Sequence, residues 1–252
     1  MARTAGDGVI VIGTGRLGGS IARGLEADGA VVGVAGRDFD PGATQGQVVL
    51  LCVPDDEIAA VVARIAGSGS VPALIGHTSG ATGLDALGPV DTSGGAFSLH
   101  PLQTVPDPAT DLAGAPAAIA GSGPGALAVA RELTDRLGMI PFEVDEDSRA
   151  LYHAAASIAS NFLVTLEQEA AELMARSGVE DPREVLAPLV RRSLENWVER
   201  GPEALTGPVA RGDSETVERH REAIAERAPD LLELYEVMAR YTARLSTKGA
   251  LR

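Results

Sequence analysis

VIVIGTGRLG at residues 9–18 is an apolar run that ends in a glycine-rich loop. The apolar run predicts a buried strand, and the pattern from Leu17 to Asp28 predicts a helix. The loop Gly13-Thr14-Gly15-Arg16-Leu17-Gly18 between them matches the pattern G-x-G-x-x-G. In this strand–loop–helix setting the first glycine permits a tight turn, the second lets the backbone approach a pyrophosphate, and the third packs the helix on the strand. The helix N-terminus attracts phosphate. The sequence therefore predicts a dinucleotide site.

The end of the second apolar run, Ala35-Gly36-Arg37-Asp38, bears on the choice of cofactor. NAD-binding domains carry an acidic residue there, which holds the ribose 2′-hydroxyl. Arg37 takes that position here, and a guanidinium pairs well with a 2′-phosphate. The sequence thus favours NADP, with Asp38 leaving NAD as the alternative. Arg16 is either a further phosphate or adenine contact or an exposed surface arginine.

Short apolar runs recur through the first 145 residues, at 9–12, 30–35, 48–53, 73–76, 96–99, 116–120 and 139–144. Helical patterns lie between them at 17–28, 56–66 and 125–137. Runs that are apolar at every position suit strands buried on both faces of a parallel sheet. The alternation predicts an α/β fold with a doubly wound, mostly parallel Rossmann sheet.

The composition changes at Asp145-Glu146-Asp147, and everything after it has a helical pattern. The predicted helices span 148–177, 182–200, 213–227 and 229–245. We expect two domains, a Rossmann NADP-binding domain at 1–145 and an α-helical substrate and dimerisation domain at 146–252. The acidic run 143–147 is interpreted as a solvated hinge.

Several residues follow predicted strands at the carboxyl edge of the sheet, where open α/β folds bind ligands. Val53 and Pro54 end the third strand and are predicted to contact the nicotinamide half of the cofactor through their backbone. Asp55 or Asp56 is expected to cap the next helix. His77 follows the fourth strand and His100 the fifth. Each histidine is a candidate for the substrate site, and the alternative for each is a turn residue without a catalytic role.

Arg149, His153, Ser157 and Asn161 are spaced by four residues along the first predicted C-terminal helix. A polar stripe on a helix that packs against a sheet is costly unless it is satisfied or lines a cleft. The stripe is therefore a candidate site, with a solvent-facing stripe as the alternative. Arg211, in the Gly-Pro segment 205–213, either binds an anionic substrate group or belongs to an interhelical turn.

The composition limits the possible functions. The net charge is −14, with Lys248 as the single lysine, so a basic footprint for nucleic acid is absent from the sequence. Cys52 is the single cysteine, which excludes an intrachain disulfide and a cysteine zinc site. No metal site is expected. The stretch Met1–Gly8 shows no signal-peptide pattern, and no segment has the length of a membrane span. We expect a cytoplasmic protein that binds neither membrane nor nucleic acid.

These motifs together resemble a known family. The residues that carry the resemblance cover nearly the whole chain, at 9–28, 53–56, 77–80, 99–104, 151–156, 159–161, 205–208 and 211–213. They are similar to Rossmann-like proteins with a C-terminal helical domain of unknown function, which are predicted NADP-dependent oxidoreductases of the 6-phosphogluconate dehydrogenase-like superfamily. Ketopantoate reductase, pyrroline-5-carboxylate reductase and prephenate dehydrogenase are near this family. The resemblance implies a helical dimerisation domain, hence a homodimer, and a cleft between the domains.

The resemblance guides the assignment of roles. Related β-hydroxyacid dehydrogenases place a lysine on the first C-terminal helix, where this chain has Arg149 and His153 while Asn161 remains. An arginine cannot deliver a proton near neutral pH. His153 is therefore the first candidate for general acid, because an unperturbed histidine pKa of about 6.5 suits this task. His100 is the second candidate.

We expect hydride transfer between NADPH and the C=O or C=N carbon of a small carboxylate substrate. In this hypothesis Asn161 binds the carbonyl oxygen, Arg149 or Arg211 binds the carboxylate, and His77 and Ser157 are further substrate contacts. A ketopantoate-like reduction is the first guess. An imine reductase, a prephenate-type dehydrogenase and a non-catalytic NADP-binding regulatory protein are the alternatives.

Overall fold

The structure is a computed structural model that describes residues 8–30 and 32–249, with side chains up to residue 246. Val31 in the second predicted strand, and nearly all of the stretch Met1–Gly8 used to judge targeting, lie outside the described residues. The chain divides into two units between Ile158 and Ala159. The division falls after the predicted domain boundary at Asp145, so the helix that starts at Arg149 belongs to the first unit.

The first unit contains a seven-stranded sheet. The strands are β1 Val9–Ile12, β2 Val32–Ala35, β3 Val48–Leu51, β4 Leu74–His77, β5 Ala96–Pro101, β6 Pro116–Gly121 and β7 Ile140–Glu143. Their order in the sheet is β2-β1-β3-β4-β5-β6-β7. The neighbouring strands pair in parallel, except that β5 and β6 are antiparallel. Each predicted run forms one strand, which confirms the mostly parallel Rossmann sheet.

Both faces of the sheet are buried under helices. The helices of this unit are α1 Arg16–Ala27, α2 Asp55–Ser68, α3 Pro124–Arg136 and α4 Arg149–Ser157. In β3 the side chains of Val48 and Leu50 belong to one apolar cluster, together with residues of α1 and α3. Val49 and Leu51 belong to a second cluster with residues of α2. Side chains of a strand alternate between faces, so a strand covered on both faces must be apolar at every position.

The strand order determines where this sheet offers a crevice. The chain passes from β1 to β2 on one side and then crosses to β3 on the other side of β1. At such a switch point the loops after two neighbouring strands diverge, and ligands bind at the carboxyl ends of these strands. In this chain the loops that start at Gly13 and Cys52 flank that point.

The described part of the second unit is helical. A π-helical turn at Ile158–Phe162 spans the division between the units. The further helices are α5 Leu163–Arg176, α6 Pro182–Arg200, α7 Pro208–Arg211, α8 Ser214–Arg227 and α9 Leu232–Gly249. The all-α prediction is confirmed, and the predicted loop at 205–213 contains the short helix α7. Within residues 8–30 and 32–249, the helices all lack the length and apolar character needed to cross a membrane.

Candidate active site

The glycine loop after β1 is a tight turn that only glycine fits at two positions. Gly13 has a φ of +122°, and a Cβ placed on it would lie 2.2 Å from the carbonyl oxygen of Cys52. A Cβ on Gly18 would lie 1.9 Å from the carbonyl oxygen of Gly13. The Gly13 N–H donates to the carbonyl oxygen of Ala35, with 2.8 Å between the two atoms. These contacts press α1 against β1 and β3, as the motif predicts.

Gly15, the middle glycine of the motif, has a different environment. It is the N-cap of α1 with φ −70° and ψ −172°, which any residue can adopt. Apart from its own chain neighbours, a Cβ placed on it would meet no atom within 4 Å. The first N–H groups of a helix lack intrahelical partners, and the first turn of α1 contains no acidic residue. The structure therefore leaves open space in front of a helix N-terminus that suits a phosphate group.

This open space continues into a cavity of about 480 Å³ at the carboxyl ends of β1, β2 and β3. Its volume is within the range of small-molecule sites, about 300–1,000 Å³. Of the predicted cofactor residues, it is lined by Gly13, Thr14, Gly15, Arg37, Val53 and Pro54. The other three, Arg16, Leu17 and Gly18, are not among its lining residues.

One end of this cavity contains the charged residues Arg37, Glu57 and Arg64. Arg37 was predicted from the sequence, whereas Glu57 and Arg64 were not. Arg37 has an exposed guanidinium whose Nη2 donates to Glu57 Oε1 at 3.1 Å. Arg64 donates to the carbonyl oxygens of Arg37 and Phe39, the latter at 2.9 Å, and its Cζ lies 4.2 Å from the centre of the Phe39 ring. Glu57 and Arg64 are seven residues apart on α2, so they share a helix face. The seven-residue spacing is the sequence signal that could have placed Glu57 and Arg64 on the same side of the helix.

The start of α2 differs from the prediction. Its N-cap is Pro54, and neither Asp55 nor Asp56 caps the helix. Instead, Asp55 Oδ2 accepts a hydrogen bond from the Ser79 hydroxyl at 2.8 Å, and Ser79 Oγ in turn accepts one from the Thr82 N–H at 2.9 Å. The carboxylate therefore fixes the loop after β4, a contact that requires knowledge of which strands are neighbours.

His77 is fully buried, which argues against its predicted contact with substrate. Its Nε2 lies 3.3 Å from the carbonyl oxygen of Gly83. Its Nδ1 has no hydrogen-bond partner among the described residues. Burial lowers the pKa of this imidazole, so it stays neutral near pH 7. The last position of β4 faces the interior of the unit, and we correct the assignment accordingly.

Arg149 also differs from its predicted role. The residue is 3 % exposed, and its guanidinium donates to Glu146 Oε1 at 2.6 Å and to Ser98 Oγ at 2.7 Å. A longer hydrogen bond of 3.4 Å reaches the carbonyl oxygen of Ser79. Because its donors have protein acceptors, Arg149 is unsuited to bind a substrate carboxylate. It connects the loop after β4 with β5.

Glu146, the partner of Arg149, belongs to the acidic run that was interpreted as a solvated hinge. Its Oε2 accepts the Leu84 N–H at 2.8 Å. Partial burial by itself raises the pKa of Glu146, but the hydrogen bonds from Arg149 and Leu84 outweigh this effect, and its pKa lies below the ordinary value. Glu146 is solvent-exposed, as expected for the acidic run, and its hydrogen bonds also fix two loops of the first unit. The hinge interpretation of the run stays a prediction.

His100, Tyr152 and His153 form an aromatic cluster around Gly80. His100 Nδ1 lies 2.8 Å from Tyr152 Oη, and the ring centres of His100 and His153 are 5.9 Å apart. A Cβ on Gly80 would lie 2.8 Å from His100 Nε2 and 2.7 Å from His153 Cδ2. The absence of a side chain at Gly80 therefore allows both imidazoles to occupy this position.

Burial is the main reason why the pKa of His100 falls to about 4, and the positive charges of His153 and Arg149 lower it further. Burial also raises the pKa of the Tyr152 phenol. Both groups are thus neutral at pH 7 and can orient one another by hydrogen bonding. A histidine with this pKa is a poor proton donor near neutrality, which weakens the second candidate for general acid. His153, which is partly exposed, remains the better candidate.

The predicted catalytic residue Asn161 and the predicted substrate residues Ser157 and Arg211 stay predictions. Ser157 is partly buried at the end of α4. Asn161 is exposed in the π-helical turn, where its carbonyl oxygen accepts from Thr165 Oγ1 at 3.1 Å. Arg211 is exposed in α7 and donates to the carbonyl oxygen of Thr206. Single π-helical turns are frequent at functional sites, which makes Asn161 worth a direct test.

Two further kinds of site, a reactive cysteine and a metal centre, find no support among the described residues. Burial raises the pKa of the Cys52 thiol to about 12, so the thiol is unreactive at neutral pH. No cluster of three or more potential metal ligands occurs in the part of the chain that the structure describes.

Sequence comparisons agree with this architecture. A model described as a Rossmann-like domain matches residues 37–101, and a domain of unknown function, DUF2520, matches residues 115–242. The chain is thus a Rossmann-like protein with a helical C-terminal region. Since the second match covers half of the chain, the protein belongs to the DUF2520 family. No curated protein matches the sequence.

Three solved structures show how widely this fold is shared. A Bacteroides fragilis protein, provisionally named an NADP oxidoreductase, is 22 % identical with a TM-score of 0.78, and the match covers 94 % of this chain and 98 % of that one. An NADH-preferring ketol-acid reductoisomerase from an uncultured archaeon is 13 % identical with a TM-score of 0.62, over 97 % and 84 % of the chains. Pyrroline carboxylate reductase from Plasmodium falciparum, solved with NADP bound, is 11 % identical with a TM-score of 0.60, over 95 % and 99 %. At these identities the likeness shows that the chains share a common fold.

Proposed function

We propose that this protein is an oxidoreductase that binds a nicotinamide dinucleotide in the cavity at the carboxyl ends of β1, β2 and β3. The observation that carries the proposal is the contrast within the glycine loop. A Cβ on Gly15 would meet no atom within 4 Å outside its own chain neighbours and faces the cavity, although the positions of Gly13 and Gly18 are tightly packed. A loop that is packed at Gly13 and Gly18 and open at Gly15 suits close approach of a pyrophosphate. The names of two structural neighbours, which mention NADP, support the same cofactor class.

NADPH is the preferred cofactor in this proposal. The fold does not decide the preference, since one neighbour was solved with NADP and another is described as NADH-preferring. Arg37 favours NADPH, because its exposed guanidinium follows β2 and lines the cavity. A guanidinium in this position suits a 2′-phosphate.

The substrate in this proposal is a small carboxylate with a C=O or C=N group. The bound cofactor supplies the hydride, while the protein orients the substrate and handles the proton. His153 donates the proton, and its position is supported by contact with Gly80 and by the neighbouring ring of His100. His100, held neutral and hydrogen-bonded to Tyr152, orients the substrate oxygen or nitrogen.

The proposal is tested with a panel of small 2-oxo acids, cyclic imines and prephenate-type acids, following NADPH absorbance. A ketopantoate-like 2-oxo acid is the first member to try. For the best substrate, His153→Ala should lower kcat about 10²- to 10⁴-fold, as expected for loss of a general acid. His220→Ala, which removes a histidine bonded to Tyr235 in the helical unit, is the matched control and should keep wild-type turnover.

Each outcome of the panel selects among the functions considered. Turnover of imines or of prephenate-type acids identifies the corresponding enzyme class. Tight cofactor binding without turnover of any member favours a non-catalytic NADP-binding regulator. Full activity of His153→Ala refutes the assignment of the general acid.

We also propose that the protein is a homodimer through its helical unit. Large apolar side chains of α6 are solvent-exposed in the single chain, among them Leu189, Trp197 and Val198. Exposed large apolar side chains can be covered at an interface with a second protein chain. Sedimentation of the wild-type protein and of Trp197→Glu tests this: we expect a dimer that the substitution weakens, and a monomeric wild-type protein contradicts the proposal.

A further inference from the structure

The end of the cavity near β2 contains an arginine and a carboxylate side by side. Arg37 follows β2 and is 87 % exposed, and Glu57, in the first turn of α2, is 38 % exposed. Their 3.1 Å contact brings an acidic group to the end of β2 although β2 itself is followed by arginine. Rossmann domains hold the ribose 2′-hydroxyl with an acidic residue at this place or a 2′-phosphate with an arginine. Here both kinds of group are present.

The neighbouring Arg64 has a separate task. It donates to the carbonyl oxygens of Arg37 and Phe39 and stacks on the Phe39 ring. These contacts fix the backbone that carries Arg37. Arg64 thus supports the backbone at Arg37. The exposed guanidinium of Arg37 has Glu57 as its partner at this end of the cavity.

We propose that Glu57 is a cofactor-selectivity residue that competes with the 2′-phosphate of NADPH for Arg37 and accepts a hydrogen bond from the 2′-hydroxyl of NADH. This inference rests on the proposed function, since it concerns the same dinucleotide site. It goes further, because it assigns the balance between the two cofactors to a pair of residues on different elements.

The physical basis is a charge balance. A phosphate monoester carries a charge of about −1.5 to −2 at pH 7. To bind Arg37, this group must displace the Glu57 carboxylate or lie close to it. Either arrangement reduces the favourable binding free energy that the 2′-phosphate gains from Arg37. NADH lacks the phosphate and leaves the ion pair intact, while its 2′-hydroxyl can donate to Glu57. The wild-type protein therefore prefers NADPH only moderately.

The test measures the Kd of NADPH and of NADH by calorimetric titration for wild type, Glu57→Gln, Arg37→Gln and the double variant. Glu57→Gln should tighten NADPH binding about three- to tenfold, the scale of one unfavourable charge contact in a partly exposed site, and leave NADH binding unchanged or weaker. Arg37→Gln should weaken NADPH binding at least about tenfold, the loss of a charge-assisted hydrogen bond. In the double variant the gain from removing Glu57 should shrink, because its competition for Arg37 is gone.

Glu226→Gln is the matched control, since it removes the same charge from an exposed position of α8 in the helical unit. It should leave the ratio of the two Kd values unchanged, and thermal melting should show that every variant is folded. Wild-type binding with an unchanged ratio in Glu57→Gln overturns this inference alone. A wild-type protein that binds neither dinucleotide overturns the proposed function and this inference with it.

Discussion

Gly13 and Gly15 are two residues apart, and their environments predict opposite effects for the same substitution. At Gly15 an added methyl group enters open space at an ordinary φ. Glycine is preferred over alanine as an N-cap by up to about 1 kcal/mol, so this substitution lowers the free energy of unfolding. Alanine also reduces the conformational entropy of the unfolded chain, which raises the free energy of unfolding by about 0.4–1 kcal/mol. The two effects nearly cancel, so Gly15→Ala should change the melting temperature by less than about 2 °C.

Dinucleotide binding should respond differently. The methyl group at Gly15 occupies the space through which the pyrophosphate approaches the backbone, and loss of one hydrogen bond to a charged group costs about 1.5–3 kcal/mol. Gly15→Ala should therefore raise the Kd of NADPH about 10- to 150-fold. A titration followed by the fluorescence of NADPH, with wild type as reference, measures this.

At Gly13 the methyl group would clash with the Cys52 carbonyl at 2.2 Å, with a backbone φ of +122°. Strain of this kind costs about 1–3 kcal/mol before the clash is added. A total near 3 kcal/mol lowers the melting temperature by about 6–12 °C. If Gly15→Ala binds NADPH as tightly as wild type, the dinucleotide does not approach this loop. If Gly15→Ala instead unfolds as readily as Gly13→Ala, the open space is not there.

Three further predictions follow from the titratable groups and the loops around them. The folded-state pKa of His100 is about 4 and the unfolded value is about 6.5, so unfolding takes up a proton at pH values between them. The free energy of unfolding, measured with urea, should therefore fall by about 1–2 kcal/mol from pH 7 to pH 5. His100→Gln should show a smaller fall over the same pH range. Glu146→Gln leaves the buried Arg149 with a weaker partner and should lower the free energy of unfolding by about 1–3 kcal/mol. Glu195→Gln, in an exposed pair, should lower it by less than about 0.5 kcal/mol. Equal losses would contradict the role of Glu146 as the partner of buried Arg149. Gly80→Ala pushes both imidazoles aside and should lower turnover at least about tenfold while NADPH binding is kept; unchanged turnover would show that their placement is unimportant.

The sheet and the glycine loop were predictable because their signals are local. Runs such as Val48–Leu51 are apolar at every position since the strand is buried on both faces. The loop at residues 13–18 was predictable because its glycine spacing can be read from the sequence, although the close contact at Gly13 is with Cys52, which follows β3. Periodicity and motif spacing report such constraints directly.

The roles of the polar residues were harder to predict because several of their partners are distant in sequence. Arg149 reads as one member of a polar helical stripe, but its guanidinium is buried against Ser98, which lies 51 residues away on β5. Asp55 has the position of a helix cap, yet it accepts from Ser79, which follows a different strand. Ser98 and Ser79 become visible as partners only when the strand order is known.

Binding of a nicotinamide dinucleotide by the wild-type protein is the property on which every proposed role of the first unit depends. Calorimetric titration of the purified chain with NADPH, and separately with NADH, measures this without any knowledge of the substrate. We expect each dinucleotide to saturate one site per chain, with the lower Kd for NADPH. Absence of saturable binding for both would contradict the central claim, however closely the fold matches that of known oxidoreductases.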